Sequence, residues 1–541
     1  MLTISQIIQT IESQETPLTK LPKPQQDLVW SLTSSVINLL SSLSEAQDEI
    51  VEAISKIPTI TNFLFGLLAF ESTPTEIQNE VLSCLTALAE DNKPLAERVV
   101  ENGDWLKKLV QIKDSGDLKA VAACGVLHNV FVSMEWFDHN TPMQGASDAM
   151  LIPTLVQSMD QASHNNGTNG GATLSSPDQI LQLALEITAS IATSLQEALE
   201  HGSKNEKEFE GFGGDTEPMN DDDADEMEAD DEDLGEGEED EEDDEMTQEE
   251  IEADMDLVTG DGPDDGESPS EEVTLDRLVR DAAPKILSLA QQSSENGPNQ
   301  NLALSALNNI AWTISTIDFS TGHLNSLQKF WSLLTQRIWN EVVSPVLASN
   351  TADIELASSI TSLAWAVSRS VKGAIVLKPE EQRKFMALYQ ASKGLNKNVT
   401  GANGGKKLDD APDAFQGLGV KCIGVLGSLA LDPAPIELNR EIGVFLLTVL
   451  SALPDAPAAD SVEALNQIFD IYADESYSFD EPVFWADGFY KHLEEIQVKV
   501  KKMAKSIDKR KFGELRARAD EAILNLGRFL VYKRKEKAGK N

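Results

Sequence analysis

The sequence predicts an all-α protein whose helices stack into a superhelical solenoid, interrupted by one long acidic insertion. Apolar residues recur at helical spacing through most of the 541 residues, and strand signals are few. Pro and Gly cluster between the helical segments instead of within them. A short helical motif also recurs along the chain, which is typical of repeat architectures.

The recurring motif is a pentad with an aliphatic residue or Thr first, a small or amide residue third and an aliphatic residue fourth. Its nine copies are Val36–Leu40, Leu85–Ala89, Leu127–Phe131, Thr188–Ala192, Leu307–Ala311, Ile360–Ala364, Leu426–Ala430, Leu465–Phe469 and Ile523–Gly527. Away from the insertion, the central residues lie 39 to 66 residues apart. Armadillo and HEAT repeats are about 40–47 residues long, with loops that lengthen individual units. The spacing therefore predicts an armadillo/HEAT-repeat solenoid, although Leu- and Ala-rich helices also produce such pentads by chance.

The predicted organisation has three parts. Residues 1–202 hold armadillo-like helical repeats, 203–273 form an acidic loop, and 274–541 hold HEAT-like helical repeats with a basic C-terminal end. Between Asp215 and Asp256, 26 of the 42 residues are Asp or Glu. Carboxylates at this density repel one another, and the segment has almost no apolar surface to bury. The loop is therefore predicted to be disordered.

One short helix is predicted inside the acidic loop, at about residues 247–258. Thr247 and Glu250 have the spacing of a capping box, and Ile251 and Met255 follow on one helical face. Because so short a helix is marginal in isolation, we expect it to fold on a basic partner. The alternative is a solvated loop with a chance pattern. The candidate partner-binding residues are Asp240, Glu241, Glu242, Asp243, Asp244, Glu249, Glu250, Ile251, Glu252, Asp254, Met255 and Asp256.

The charge of the chain favours a basic protein as its partner. The formal net charge is -48, and removing the 26 carboxylates of the acidic stretch leaves about -22 on the rest. Such a charge opposes binding to nucleic acid and to anionic membranes. The three cysteines lie far apart, no apolar run spans a membrane, and no signal peptide is recognisable. We expect a soluble monomer of the cytoplasm and the nucleus.

No catalytic or cofactor-binding motif is recognisable. The sequence lacks a phosphate-binding Gly-rich loop, H-E-x-x-H, C-x-x-C and G-x-S-x-G, and its six histidines are not spaced as metal ligands. We therefore expect no enzyme activity, no cofactor and no metal site. His128, which lies in an apolar helical segment, is expected to be a hydrogen-bonded core histidine.

Four residues on the pentad helices are candidates for a peptide-binding groove. Asn129 and Asn309 offer amides that both donate and accept hydrogen bonds. Trp312 and Trp365 offer indole faces, which attract Lys and Arg side chains. Armadillo-type grooves commonly hold extended peptides with these residue types. The alternative is that both tryptophans only pack in the core, as we expect of the other six.

Several segments of the chain resemble the symportin family, a family of armadillo/HEAT-repeat import chaperones. These segments are the acidic loop between two repeat regions, Ile471–Glu475 with Phe479–Phe484, and Lys511–Glu521 with Phe529–Lys533. The resemblance covers nearly the whole chain. It implies an adaptor that binds together the two large-subunit ribosomal proteins associated with 5S RNA. One would place an N-terminal peptide in the groove, the other would use the acidic loop, and the nuclear import receptor transportin would deliver both.

The chain differs from the family pattern at its amino terminus. The family begins with a basic signal that contains Pro-Tyr, followed by further repeats, whereas this chain begins Met1-Leu-Thr-Ile-Ser5. We therefore expect a shortened chain, and transportin is a partner only by implication of the resemblance. Lys533–Lys537 is a candidate substitute signal, with a solvated helix end as the alternative. Two other functions fit the charge, namely a histone-type acidic chaperone and a passive scaffold for basic proteins.

Overall fold

The computed structural model describes nine parts of the chain, and every regular element in them is helical. These parts are residues 2–11, 18–115, 118–142, 146–164, 177–203, 273–292, 298–349, 353–399 and 414–539. No strand occurs within these ranges, which confirms the all-α prediction.

Ten α-helices are described before the acidic insertion. They are α1 (Leu2–Ile11), α2 (Lys23–Ser44), α3 (Asp48–Ser55), α4 (Pro58–Ala69), α5 (Thr75–Ala89), α6 (Lys93–Glu101), α7 (Gly103–Lys113), α8 (Leu118–Ser133), α9 (Ile152–His164) and α10 (Pro177–Ser203). Proline stands in the first turn of α2, α4 and α6, where its missing N–H removes no intrahelical bond. Asn92 caps α6 by accepting a hydrogen bond from the backbone N–H of Leu95.

Twelve α-helices are described after the insertion. They are α11 (Val273–Arg277), α12 (Ala283–Gln292), α13 (Pro298–Ser315), α14 (Asn325–Ile338), α15 (Ser344–Ala348), α16 (Ile354–Ser370), α17 (Glu381–Val399), α18 (Leu418–Leu429), α19 (Ile436–Ser451), α20 (Ala458–Ile471), α21 (Phe489–Ser506) and α22 (Gly513–Gly539). A π-helical turn at Leu278–Ala282 joins α11 to α12, and a second at Trp339–Val343 joins α14 to α15. A third π-helical turn, Asp480–Trp485, precedes α21.

Nine helices form a single row, which we call the spine. In order they are α2, α5, α8, α10, α13, α16, α18, α20 and α22, and each packs on the next. Each of the nine pentads lies on a different spine helix, with Ala430 at the C-cap of α18. In the seven inner copies, the first and fourth residues are at most 3% exposed. The pentads therefore predicted the row of helices from which the solenoid is built.

The other helices pack against the spine as a second layer, for example α9 on α10, α12 on α13 and α17 on α18. One hydrophobic core runs through the stack from Ile4 to Leu530. Trp331 and Trp339 are fully buried in it, which confirms for these two the expectation of packing between helices. Among the described residues no single helix is long and apolar enough to cross a membrane. Only together do α3 and α4 reach that length and apolar composition, and the pair is bent by 74°.

The spine continues directly across the acidic insertion. Helix α10, which ends at Ser203, packs on α13, and Thr313 Oγ1 donates a hydrogen bond of 2.8 Å to the carbonyl oxygen of Ala192. Thr274, at the start of α11, bonds the Asp138 carboxylate through its backbone N–H at 2.6 Å and its hydroxyl at 2.9 Å. The repeats on the two sides of the insertion are therefore one solenoid.

Helix α22 carries a buried ion pair within the candidate signal Lys533–Lys537. Lys533 is fully buried, with Nζ 2.8 Å from Asp480 Oδ1 and 2.9 Å from Glu536 Oε2. Lys537 Nζ lies 2.9 Å from Glu481. For Lys533, the interpretation as a substitute import signal and the interpretation as part of a solvated helix end are therefore both wrong. Its charge stabilises the contact between α22 and the π-helical turn, so it is neither solvated nor displayed as a signal.

Candidate functional site

The structure brings two of the predicted groove residues into contact. Trp312 on α13 and Trp365 on α16 lie on adjacent spine helices, with ring centroids 5.3 Å apart and ring planes at 73°. This edge-to-face geometry is favourable for aromatic pairs. Both side chains are half-buried, so they combine helix packing with exposed indole surface. Both pack against the hydrophobic core, and their role in a groove stays a prediction.

The face of Trp312 already has a cation nearby. The Arg369 guanidinium carbon lies 5.8 Å from the centroid of this indole, within the range of a cation–π contact. Arg369 is exposed and lies one turn after Trp365 on α16. An incoming Lys or Arg that stacked on the same face would have to displace Arg369.

Trp365 is positioned by a glycine on the next spine helix. A Cβ built on Gly424 of α18 would lie 2.1 Å from Cε2 of the indole, so only glycine permits this close approach. The indole Nε1 of Trp365 is buried and has no hydrogen-bond partner within the described residues. Buried N–H groups without a partner are uncommon.

The two predicted asparagines connect neighbouring spine helices. Asn129 Nδ2 on α8 donates to the carbonyl oxygen of Thr86 on α5 at 2.9 Å. Asn309 Nδ2 on α13 donates to Thr193 Oγ1 on α10 at 3.1 Å. Because the amide nitrogens are engaged in packing, only the carbonyl oxygens are left for a peptide. Asn129 Oδ1 makes no hydrogen bond within the described residues, whereas Asn309 Oδ1 accepts one from Asn308 at 3.3 Å.

His128 is a satisfied core histidine, as expected. It is 3% exposed, its Nδ1 lies 3.0 Å from the Asp148 carboxylate, and its Nε2 lies 2.9 Å from Ser190 Oγ. Within the described residues no group of three or more His, Cys, Asp or Glu side chains is placed to hold a metal ion.

Two buried carboxyl groups on α20 were missed by the sequence analysis. Burial raises the pKa of Asp460 to about 6, and the nearby Tyr389 hydroxyl and Lys393 ammonium oppose this only in part. Burial also raises the pKa of Glu463, although Gln467 Nε2 donates a hydrogen bond of 2.7 Å to its Oε1. This part of the spine therefore carries protonatable groups beneath its surface.

The glycine pattern of α18 was the sequence signal that could have revealed this close packing around the site. Gly419, Gly424 and Gly427 recur along one short helix. Their missing side chains make room for the Asp460 carboxylate, the Trp365 indole and the Gln467 amide, respectively. Large side chains from both neighbouring spine helices thus reach the backbone of α18.

The acidic part of the predicted site belongs to the segment between α10 and α11. The loop, its predicted helix at 247–258 and all twelve of its candidate residues lie outside the described residues. Its flanks, however, are described. They are the end of α10 and the start of α11, and α10 packs on the spine helix that carries Asn309 and Trp312.

Comparisons with known proteins agree on one family. A family model described as "SYO1-like, TPR repeats" matches residues 413–537. Symportin 1 of Chaetomium thermophilum is 42% identical over 551 aligned positions, which cover 98% of this chain and 80% of that protein. The armadillo repeat protein involved in nucleocytoplasmic transport Syo2 of Schizosaccharomyces pombe is 26% identical over 304 positions, 52% of this chain and 41% of its own length.

Synchronized import protein 1 of Saccharomyces cerevisiae is 35% identical over 117 positions, which cover 21% of this chain and 19% of that protein. The matched family model names its segment TPR repeats where the sequence predicts HEAT-like repeats, and both types stack pairs of helices. The identity and coverage of the Chaetomium relative are decisive. The chain belongs to the symportin family.

Proposed function

We propose that this chain is a non-enzymatic chaperone and nuclear import adaptor that binds and co-imports the two large-subunit ribosomal proteins associated with 5S RNA. It would act in ribosome biogenesis and shuttle between the cytoplasm and the nucleus. The names of two relatives, which refer to import and to nucleocytoplasmic transport, support the transport role. The net charge of -48 supports basic proteins as cargo.

The contact between Trp312 and Trp365 is the observation on which the proposal rests. An extended basic peptide that ran along the spine would meet two half-buried indoles on successive helices. Its Lys or Arg side chains would compete with Arg369 for the face of Trp312. Asn129 and Asn309 would accept hydrogen bonds from the peptide through their carbonyl oxygens.

The acidic loop would contact the second cargo. We assign this role to the twelve residues from Asp240 to Asp256 named above, with the helix at 247–258 folding on contact. Carboxylates attract a cationic partner over a distance, so they raise the association rate more than the final affinity. Because exposed charges are screened beyond about 8 Å at physiological ionic strength, capture should weaken steeply as salt is added.

The proposal is tested by competitive capture. The full chain is immobilised and offered an equimolar mixture of the two purified ribosomal proteins and core histones at moderate salt. We expect the ribosomal pair to be retained and the histones to pass through. The double variant Trp312→Ala, Trp365→Ala should lose most of its affinity for the protein that binds the groove.

Trp105→Ala is the matched control for this double variant. Trp105 lies on α7, outside the spine, where it stacks on Phe65 with ring centroids 4.4 Å apart. This variant should retain both cargoes. Equal retention of histones would indicate a general acidic chaperone. Unchanged retention after removal of residues 215–256 would indicate a scaffold whose acidic loop has no part in binding.

Delivery through transportin is a separate part of the proposal. It requires that the receptor bind the loaded adaptor. Mixing recombinant transportin with the full chain and both cargoes tests this step. Failure of this step alone would leave the cargo-binding part intact and point to a different receptor.

A further inference from the structure

A cluster of cations lies where α21 turns into α22, and we call residues 499–511 the basic turn. Within thirteen residues it carries seven basic side chains and one acidic one, Asp508. The seven are Lys499, Lys501, Lys502, Lys505, Lys509, Arg510 and Lys511, and all are exposed. This concentration of positive charge contrasts with the acidity of the chain as a whole.

None of the seven forms an ion pair within the described residues. Lys499 Nζ donates a long hydrogen bond of 3.4 Å to the carbonyl oxygen of Ser451, which leaves its charge uncompensated. Other basic side chains of the same helix pair do have acidic partners. Arg516 pairs with Asp520, Arg518 with Glu514, and Arg534 with Glu494. The basic turn is thus a local exception.

Helix electrostatics explains only part of this cluster. Lysines in the last turn of α21 are favourable there, because a helix C-terminus carries partial negative charge. Lys509, Arg510 and Lys511, however, directly precede the N-terminus of α22, which carries partial positive charge. Two carboxylates, Asp508 and Glu514, lie beside these three cations, so the positive charge at this helix start is only partly compensated.

The local geometry suits a phosphate. The Asp508 carboxylate accepts a hydrogen bond of 2.9 Å from the backbone N–H of Arg510, and the Asp508 carbonyl oxygen accepts one of 2.9 Å from that of Phe512. These bonds fold the turn tightly onto the start of α22. The first N–H groups of a helix have no intrahelical acceptor and bind phosphate readily. Space around Gly513 is open, with nothing within 4 Å of a Cβ built there.

An exposed aromatic side chain beside the cations indicates which kind of anionic ligand would bind the basic turn. Phe512, directly after the last cation, is 50% exposed and offers a ring on which a base could stack. Phosphate contacts combined with base stacking are typical of single-stranded nucleic acid. A peptide of carboxylates alone would use the cations but not the ring. We propose that the basic turn is a binding site for single-stranded RNA, at the end of the solenoid formed by α21 and α22.

From the net charge of the whole chain we expected no binding to nucleic acid. For the basic turn we revise that expectation. Charges more than about 8 Å away are largely screened at physiological ionic strength, so the local cluster decides what binds there. A ligand that contacted all seven cations would give a slope of about -5 for log affinity against log salt, since each single-strand phosphate contributes about -0.7.

The test measures the fluorescence anisotropy of a labelled single-stranded RNA of mixed sequence, titrated with the full chain at several salt concentrations. The variant Lys502→Glu, Lys505→Glu, Lys509→Glu should lose at least about tenfold in affinity and reduce the salt slope by about 2. The matched control reverses three exposed lysines elsewhere, Lys23→Glu, Lys93→Glu and Lys329→Glu, and should bind as the unaltered chain does. Phe512→Ala should weaken binding about fivefold or more through lost stacking.

Three results would overturn the proposal. The first is equal loss in the test and control variants, which would indicate a response to net charge alone. The second is binding of poly-glutamate as tightly as RNA, which would identify an acidic protein as the partner. The third is RNA binding only after residues 215–256 are removed, which would make the chain's own acidic stretch the occupant. Circular dichroism of each variant confirms that it is folded.

Discussion

Thr313 and Ala192 lie 121 positions apart in the sequence and are joined by a hydrogen bond of 2.8 Å between adjacent spine helices. The acidic insertion lies between these two residues in the sequence. This contact, together with that of Thr274 to Asp138, joins the repeats on the two sides of the insertion directly.

We therefore expect that replacing residues 204–272 with a short Gly/Ser linker leaves the fold intact. The midpoint of thermal unfolding, followed by circular dichroism, should change by less than about 3 °C, because no spine contact is lost. As a comparison, Thr313→Val in the full chain should cost about 1 kcal/mol through the lost hydrogen bond. A large drop in the midpoint of the linker variant would show that the insertion packs on the repeats.

Gly424→Ala should destabilise the protein by about 1–3 kcal/mol, because its Cβ would overlap the Trp365 indole. The displaced ring should also alter the tryptophan fluorescence. Urea unfolding measures the first effect and emission spectra the second. Gly66→Ala in α4 is the control. No atom lies within 4 Å of a Cβ built there, so helix propensity should make it neutral or stabilising by up to about 1 kcal/mol.

Lys533→Met should cost about 3–5 kcal/mol, because it leaves the buried Asp480 carboxylate without a partner. Lys537→Met, which breaks a more exposed pair with Glu481, should cost less than about 1 kcal/mol. Urea unfolding of both variants provides the comparison. Equal costs would contradict the buried role of Lys533.

The stability contributed by Asp460 should fall as the pH rises. Burial raises the pKa of this carboxyl to about 6 in the folded state, above the value of 3.8 for a free Asp. Between these two values the folded protein holds a proton that the unfolded chain has released, so raising the pH disfavours folding. Relative to Asp460→Asn, the native chain should lose about 1–3 kcal/mol between pH 4 and pH 7. Urea unfolding at several pH values checks this, and a parallel pH response of the two proteins would refute it.

Arg369→Gln should tighten binding of the basic cargo that we propose for the groove. The substitution frees the face of Trp312 and removes a positive charge that repels the cargo. A two- to tenfold gain measured by calorimetry would be consistent with about 0.5–1.4 kcal/mol from one exposed cation–π contact. Weaker binding would instead mean that Arg369 contacts the cargo directly.

Much of the fold was accessible from the sequence, because the stacking of repeats imposes a regular pattern. A residue such as Leu127 is buried on one helix face in every repeat, so its spacing shows through the sequence. The site was less accessible. The half-burial of Trp365 depends on Gly424, 59 positions later, and no local pattern connects them. Lys533 likewise looked solvated in sequence, because its partner Asp480 lies on another element.

The junction of α10 with α13 has a consequence for how this chain can change. Since α10 and α13 contact each other directly, we expect mutations that lengthen, shorten or recode the intervening segment to leave the register of the repeats unchanged. A substitution in the spine, by contrast, must preserve the packing between repeats. The intervening segment and the repeat framework can therefore be selected separately.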